Sequence, residues 1–265
     1  MRVGIVGLGV VGSAVKYGLE KLGHDICAHD IKLKTSLVDV LGTEICFLCL
    51  PTPSTSDGTC DTSIVEEVVK YLCNKSYSGI ISIKSTVTPG TTQMLLDRHP
   101  DMNICFVPEF LRERCAYIDF VENHDICIIG TTQEDVYKKI KKAHGHLPSE
   151  FKQLSPTEAE LSKYFNNIYN ATLITFANSF YEVCQHFDAD YMNIKNAIVR
   201  REHIHDIYLD CNRNFRGFGG ACLPKDTAAI ASVCEEYGVN VDFFKYLLRE
   251  NNRYPTTVFD GMRAR

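Results

Sequence analysis

The stretch Arg2-Val3-Gly4-Ile5-Val6-Gly7-Leu8-Gly9-Val10-Val11-Gly12 decides the fold of this 265-residue chain. Val3 to Val6 is a short apolar run, and Gly7 to Gly12 spells G-x-G-x-x-G directly after it. Val11, Ala14, Val15, Leu19 and Leu22 then recur at helical spacing and predict a helix to about Leu22. Strand, glycine-rich turn and helix in this order form a dinucleotide-binding unit. The first glycine makes a tight turn. The second lets a pyrophosphate approach the backbone, and the third lets helix and strand pack closely. The free amides and dipole of the helix start hold the pyrophosphate. Asp25 to His29 reads as a second strand, closed by Asp30, 18 residues after Gly12. An acid there binds ribose hydroxyls and favours NAD over NADP.

Working outward, only 14 residues separate Asp30 from the next strand, Ile45 to Leu50. That is too short for the usual helix, strand and helix, so one strand is expected to be missing. Further strands are predicted at Ile80–Ile83, Ile104–Val107 and, as the last one, Asp125–Ile129. Helices are predicted at Ser63–Cys73 and Gln133–Ala143. Polar loops (Leu50-Pro-Thr-Pro53, Lys84 to Thr92, Pro108 to Glu113) follow three of the strands. Ligands bind at that edge of open α/β sheets. The expectation is an α/β, Rossmann-type, mostly parallel sheet reduced by about one strand, followed by an all-α domain. Residues 1–152 would form the NAD-binding domain and 153–265 the helical one.

In the second part, Pro156 to about Phe187 is one helical pattern without internal Gly or Pro. Ser155 and Glu158 suit a capping box at its start. Its length suggests a backbone for dimerisation. Lys163 and Asn167 are four residues apart and share a face. Shorter helices are expected at Tyr191–Val199, Pro224–Tyr237 and Val241 to about Asn252, with Pro255 breaking or kinking the last.

Within this part, Gly217-Phe-Gly-Gly-Ala-Cys-Leu-Pro-Lys-Asp226 surrounds one cysteine with small residues and places a Lys and an Asp just beyond it. Small residues let backbone and substrate come close. Pro224 fits a first helical turn, which puts Cys222 at or just before the positive end of a helix and favours its thiolate. Read alone, the segment suits equally a glycine-rich turn whose cysteine is filler.

Bulk properties narrow the class. Hydrophobic residues make up 45% of the chain and charged ones 23%, with net charge −5. This is a globular composition with no global signal for nucleic acid or an anionic membrane. No apolar run reaches the roughly 18 residues of a membrane span. The twelve cysteines follow no regular spacing and read as reduced cytosolic thiols. Cys46 and Cys49 point to opposite faces of a strand, which makes a poor metal or redox pair. His144/His146 and His203/His205 lack partners at zinc spacing, so no metal is expected.

Four signatures stand in one order: Gly7–Gly12 with Asp30; Leu50-Pro-Thr-Pro53 with Asp57-Gly58 and Asp61-Thr-Ser63; Lys84-Ser-Thr86 with Pro108-Glu-Phe-Leu-Arg-Glu113; and Lys163/Asn167 with Gly217 to Asp226. Together they resemble the UDP-glucose/GDP-mannose dehydrogenase family, most nearly its UDP-glucose 6-dehydrogenases. The resemblance implies oxidation of a nucleotide sugar, UDP-glucose to UDP-glucuronate, with two NAD in succession. It implies Cys222 as nucleophile, and Lys163, Asn167 and Asp226 as the group that stabilises an oxyanion and activates water. Glu109 would be a general acid/base for thioester hydrolysis, and Thr86 would line the reacting centre.

For the cofactor it implies Gly7, Leu8, Gly9, Val10, Val11, Gly12, Asp30, Leu50, Pro51, Thr52, Ser85, Thr86, Glu113 and Lys225. For the substrate it implies Glu109, Phe110, Leu111, Arg112 and Glu113, Lys163 and Asn167, and Arg213, Phe215, Gly217, Phe218 and Gly219. It further implies a cytoplasmic homodimer, joined through the helical domain, that serves polysaccharide biosynthesis. Two departures stand out. Family members usually continue for over a hundred residues into a nucleotide-binding domain, so a short form lacking it is expected. His203 replaces an arginine that many relatives carry. Other readings of the scaffold are a non-catalytic NAD-binding protein and a single-step hydroxy-acid dehydrogenase.

Overall fold

The computed structural model describes residues 1–255. The chain forms two compact units, one of Met1–Pro53 and Cys60–Lys163, the other of Ser54–Thr59 and the chain from Tyr164 onward. The last ten residues of the expected 153–265 domain lie outside the described residues.

The first unit is built on a seven-stranded sheet: β1 (Arg2–Val6), β2 (Asp25–His29), β3 (Ile45–Leu48), β4 (Ile80–Ile83), β5 (Asn103–Phe106), β6 (Ile126–Gly130) and β7 (Glu150–Leu154). Their spatial order is β2-β1-β3-β4-β5-β6-β7. Between β2 and β3 there is only a short 3₁₀ helix, Leu37–Gly42, so the strand expected to be missing is missing. Strands β1 to β5 run parallel. Strand β6 pairs with β5 antiparallel through Phe106 and Gly130, and β7 runs parallel to β6.

Two expectations need correction here. Asp125–Ile129 is not the last strand, and the loops after β5 and β6 leave from opposite edges. Glu-Phe-Lys-Gln-Leu of β7 is an edge strand and nowhere fully buried, so it carries no apolar run to betray it. Two short helices carry no assignment in the sequence reading: α3 (Thr91–Arg98), whose first two residues fall in the expected Lys84–Thr92 loop, and α4 (Ala116–Val121). Each buries only three residues, so the apolar stripe is too brief to register.

Both faces of the sheet are covered. On one, Val3, Ile5, Phe47, Cys105 and Ile129 pack against α1 (Val10–Lys21), α4 and α5 (Glu134–His144). On the other, Cys46, Leu48, Ile81, Ile83 and Phe106 pack against α2 (Ser63–Asn74) and α3. Cys46 and Cys49 fall on opposite faces, as strand alternation requires.

His144 of α5 is fully buried, edge-on to Phe47 at 5.6 Å between ring centroids. Its Nδ1 donates to the Ile140 carbonyl at 3.0 Å, and Nε2 has no hydrogen-bond partner. Burial pushes this imidazole down to about 3. The folded protein therefore holds it neutral while the unfolded chain takes a proton below about pH 6.5, and stability falls as the pH drops through that window. At pH 5 the loss amounts to about 2 kcal/mol. Denaturant titrations at pH 7 and pH 5 are expected to show this acid-dependent loss, and His144→Phe should remove it.

In the second unit, α6 (Pro156–His186) continues from the first. Its start is capped as expected: Ser155 N–H donates to Glu158 Oε2 at 2.8 Å, and Glu158 N–H to Ser155 Oγ at 3.3 Å. Helices α7 (Tyr191–Ile198), α8 (Leu223–Glu236) and α9 (Phe243–Asn251) follow. Ala177 and Cys184 of α6 pack with Tyr191, Leu209 and Cys211, so the irregular segment after α7 is anchored. The buried Lys195 adds ion pairs to Asp206 and Asp210, both at 2.9 Å. Phe165, Tyr169, Phe176 and Phe180 leave an exposed aromatic stripe along α6, and Phe187 is exposed just past its end.

Candidate active site

In the first unit the glycine-rich turn has the geometry its sequence demands. Gly7 has φ +90°, and its N–H donates to the His29 carbonyl at 2.8 Å. A Cβ there would stand 2.3 Å from the Cys49 carbonyl oxygen. A Cβ on Gly12 would stand 1.9 Å from the Gly7 carbonyl oxygen, whereas one on Gly9 meets nothing within 4 Å. The turn is therefore closed at its first and third glycines and open at its second, the side from which a pyrophosphate approaches. Gly9 caps α1 without a side-chain bond, and no acid sits in the first turn. Val10, Val11 and Gly12 thus begin a helix whose positive end is free for an anion.

Asp30 fastens this turn to the end of β2. Its Oδ2 accepts the Leu8 N–H at 2.7 Å and its Oδ1 the Lys32 N–H at 2.9 Å. These two bonds hold the carboxyl below the usual range. A carboxylate has about four acceptor sites, so two remain for ribose hydroxyls. The residues fit a dinucleotide, which they would hold by the pyrophosphate and by one ribose.

The loops after β3, β4 and β5 share the same edge. Ser85 Oγ accepts the Leu50 N–H at 2.7 Å and donates to the Leu48 carbonyl at 3.3 Å, tying two loops together. Thr52 is buried and Pro51 exposed. The Cys60 thiol donates to the Thr86 carbonyl at 3.3 Å.

Glu109 is buried, with Oε2 3.1 Å from the buried ammonium of Lys84. The Lys163 ammonium donates to the Glu109 carbonyl and lies 5.7 Å from the Phe110 ring centroid. Leu111 is half-buried, and Glu113 is exposed where a 3₁₀ turn begins. Arg112 is locked to Asp119 by three hydrogen bonds of 2.7 to 2.9 Å. These bonds hold the Asp119 carboxyl down at about 2, so the Pro108–Glu113 loop is pinned from behind. Lys84 went unassigned in the sequence. Its signal was a lysine directly after a buried strand, an expensive place for a charge.

The cysteine motif lies in the second unit. Cys222 is exposed and is the N-cap residue of α8, with Pro224 in the first turn. Asp226, one turn on, is almost fully buried, and its N–H donates to the Cys222 carbonyl at 2.8 Å. Asp226 Oδ2 accepts from Asn167 Nδ2 at 2.5 Å, and Oδ1 lies 2.6 Å from the Lys225 ammonium. Asn167 is itself buried. One amide and one ammonium thus flank a carboxylate one turn below an exposed thiol at a helix start.

Upstream, Asn178 Oδ1 accepts both Arg216 Nε at 2.7 Å and the Gly217 N–H at 3.0 Å. Asn251 grips the Phe218 backbone on both sides, at 2.7 and 2.9 Å. The Phe218 side chain, expected to touch substrate, is fully buried. Arg213 and Phe215 are exposed, and Gly219 is half-buried. The anchoring roles of Asn178, Asn251 and Arg216 are not legible in the sequence, because each depends on a partner 33 to 39 residues away.

A mostly parallel sheet with a glycine-rich dinucleotide turn, followed by helices that present a cysteine at a helix start, defines a dinucleotide-binding protein of the α/β class. Comparison narrows it. Residues 33–147 match the NAD-binding domain of the UDP-glucose/GDP-mannose dehydrogenase family, and residues 157–253 match its central domain. The chain belongs to this family.

Among its relatives, UDP-glucose 6-dehydrogenase AglM of Haloferax volcanii is 27% identical over all of this chain and 73% of its own length. GDP-mannose 6-dehydrogenase of Azotobacter vinelandii is 24% identical over 98% of this chain and 70% of its own. A solved UDP-glucose dehydrogenase of Pyrobaculum islandicum aligns with a TM-score of 0.86 at 25% identity, over 95% of this chain and 68% of that one. The chain spans about 70% of the length of each of these relatives.

Proposed function

We propose that the chain oxidises the primary alcohol of a nucleotide sugar to the carboxylate, with UDP-glucose as the first substrate to test. The observation that carries the reading is the Cys222–Asp226 turn of α8, where an exposed thiol precedes a buried carboxylate bonded to Asn167. A filler cysteine needs no buried acid and amide beneath it. A single-step hydroxy-acid dehydrogenase needs no nucleophile at all.

NAD, when bound, supplies the hydride acceptor. A base or ordered water takes the proton of the alcohol as it becomes an aldehyde. The Cys222 thiolate adds to the aldehyde carbon, and the Lys163 ammonium and the Asn167 amide meet the resulting oxyanion. After the second oxidation the substrate carbon is a thioester of Cys222. Water bonds to that carbon, its proton passes to Asp226 or Glu109, and the C–S bond breaks to release the acid and the thiolate. Covalent capture keeps the aldehyde from escaping between the two oxidations.

In this reading residues 1–152 serve the cofactor and the segment from 153 carries the nucleophile. By the family resemblance, Thr86 and Glu113 would line the nicotinamide and reacting centre, Lys225 would serve the cofactor, and Arg213, Phe215, Gly217 and Gly219 would serve the substrate. The aromatic stripe on α6 supports a homodimer through the helical segment, and twelve cysteines outside any disulfide accord with a reducing cytoplasm. The acid sugar would feed polysaccharide biosynthesis. The test is NAD reduction with purified protein across UDP-glucose, GDP-mannose and UDP-N-acetylmannosamine. Reduction with one of these and a carboxylate product supports the reading. No reduction with any of them, despite NAD binding, favours a non-catalytic protein.

A further inference from the structure

Buried charges are expensive, and a buried ion pair is rarely retained for stability alone. Lys84 ends β4 with its side chain 1% exposed, and Glu109 follows β5 with its side chain 7% exposed. The ammonium meets the Glu109 carboxylate at 3.1 Å and the Val107 carbonyl at 3.3 Å, and lies 5.8 Å from the Phe47 ring centroid. The titratable groups around it are Glu109, the thiols of Cys49, Cys105 and Cys127, and the imidazoles of His124 and His144.

Burial pushes these three thiols up to about 12 and both imidazoles down. All five are therefore neutral at pH 7, which leaves Glu109 as the carboxyl group that faces the ammonium. Burial draws the Lys84 ammonium down, Glu109 opposes it, and the net displacement is upward. Glu109 Oε1 accepts the Phe110 N–H at 3.1 Å, whereas Oε2 has no hydrogen-bond donor in good geometry. The oxygen beside the ammonium thus keeps its acceptor capacity.

We propose that Lys84 is a positioning residue whose ammonium keeps Glu109 a carboxylate, so that Glu109 takes a proton from the hydrolytic water rather than giving one. This rests on the reaction proposed above, but the charge on Glu109 is measurable without it.

The test uses the full chain with Lys84→Met, Lys84→Arg and the double variant Lys84→Met/Glu109→Gln. Without the cation, a buried carboxyl is driven to its neutral form. Infrared difference spectra at pH 7 are expected to show the carbonyl band of a protonated carboxylic acid in Lys84→Met. The band should be absent from the wild type, from Lys84→Arg and from the double variant. In turnover, the acid limb of the kcat–pH profile should move up by two units or more in Lys84→Met, which is about a hundredfold loss at any pH below the limb, while Lys84→Arg restores the wild-type limb.

A folded Lys84→Met protein with no such band, or with an unmoved limb, overturns the proposal. If Lys84→Met does not fold, Lys84→Gln gives the same readings. Because the infrared band needs no substrate, a protein that oxidises none of the sugars refutes the reaction and still leaves the band to decide the role of Lys84.

Discussion

Cys222→Ser is expected to stop carboxylate formation while leaving NAD affinity unchanged. Serine at a helix N-cap is among the favoured residues, and Cys222 occupies that position, exposed, at the start of α8. The substitution should therefore leave the fold intact. What it removes is an exposed sulfur nucleophile at the start of a helix. A hydroxyl does not add to the aldehyde at a comparable rate without a base to activate it. Loss of the nucleophile from a covalent enzyme costs on the order of 10⁶ in kcat. The check is chromatography of the reaction products with thermal unfolding as a control. A variant that is folded, binds NAD and forms no acid matches the account.

Gly12→Ala should nearly abolish NAD binding. The new Cβ would stand 1.9 Å from the Gly7 carbonyl oxygen; that oxygen is backbone and the Cβ is fixed by its own backbone, so no side chain can swing aside. Either α1 withdraws from β1 or the turn opens, and each displaces the amides that face the pyrophosphate. Overpacking of this kind costs roughly 1–3 kcal/mol and occasionally more, which is roughly a 5- to 150-fold weaker affinity if it falls on the binding conformation. Gly9→Ala is the informative control. Its Cβ meets nothing within 4 Å of the protein, so it should leave stability unchanged and weaken NAD alone. Calorimetric titration of NAD into each variant, beside denaturant melts, separates the two effects.

Much of this was legible before any coordinates. The run from Arg2 to Asp30 contained its own strand, turn and helix, because short-range constraints (glycine conformations, helical spacing) determine them. The shortened path from Asp30 to Ile45 correctly announced a missing strand, since chain length alone excludes one. What escaped notice depends on distant partners. Strand β7 is polar and lies at the edge, and its existence rests on pairing with β6. The reversal between β5 and β6 depends on how α4 returns the chain. Lys84 became meaningful only when Glu109 was seen opposite it, and Asn178 and Asn251 only when the backbone of Gly217–Phe218 was found in their grip. In the cysteine motif, the residue types were evident from the sequence, but the burial of Asp226 and its bond to Asn167 were not.

The central claim is a two-step oxidation through Cys222, and the stoichiometry of cofactor reduction tests it most directly. With a limiting amount of the nucleotide sugar that the protein accepts, and excess NAD, the account predicts two NADH formed per sugar consumed and one carboxylate product. One NADH per molecule consumed, with an aldehyde or ketone as the end product, would contradict it.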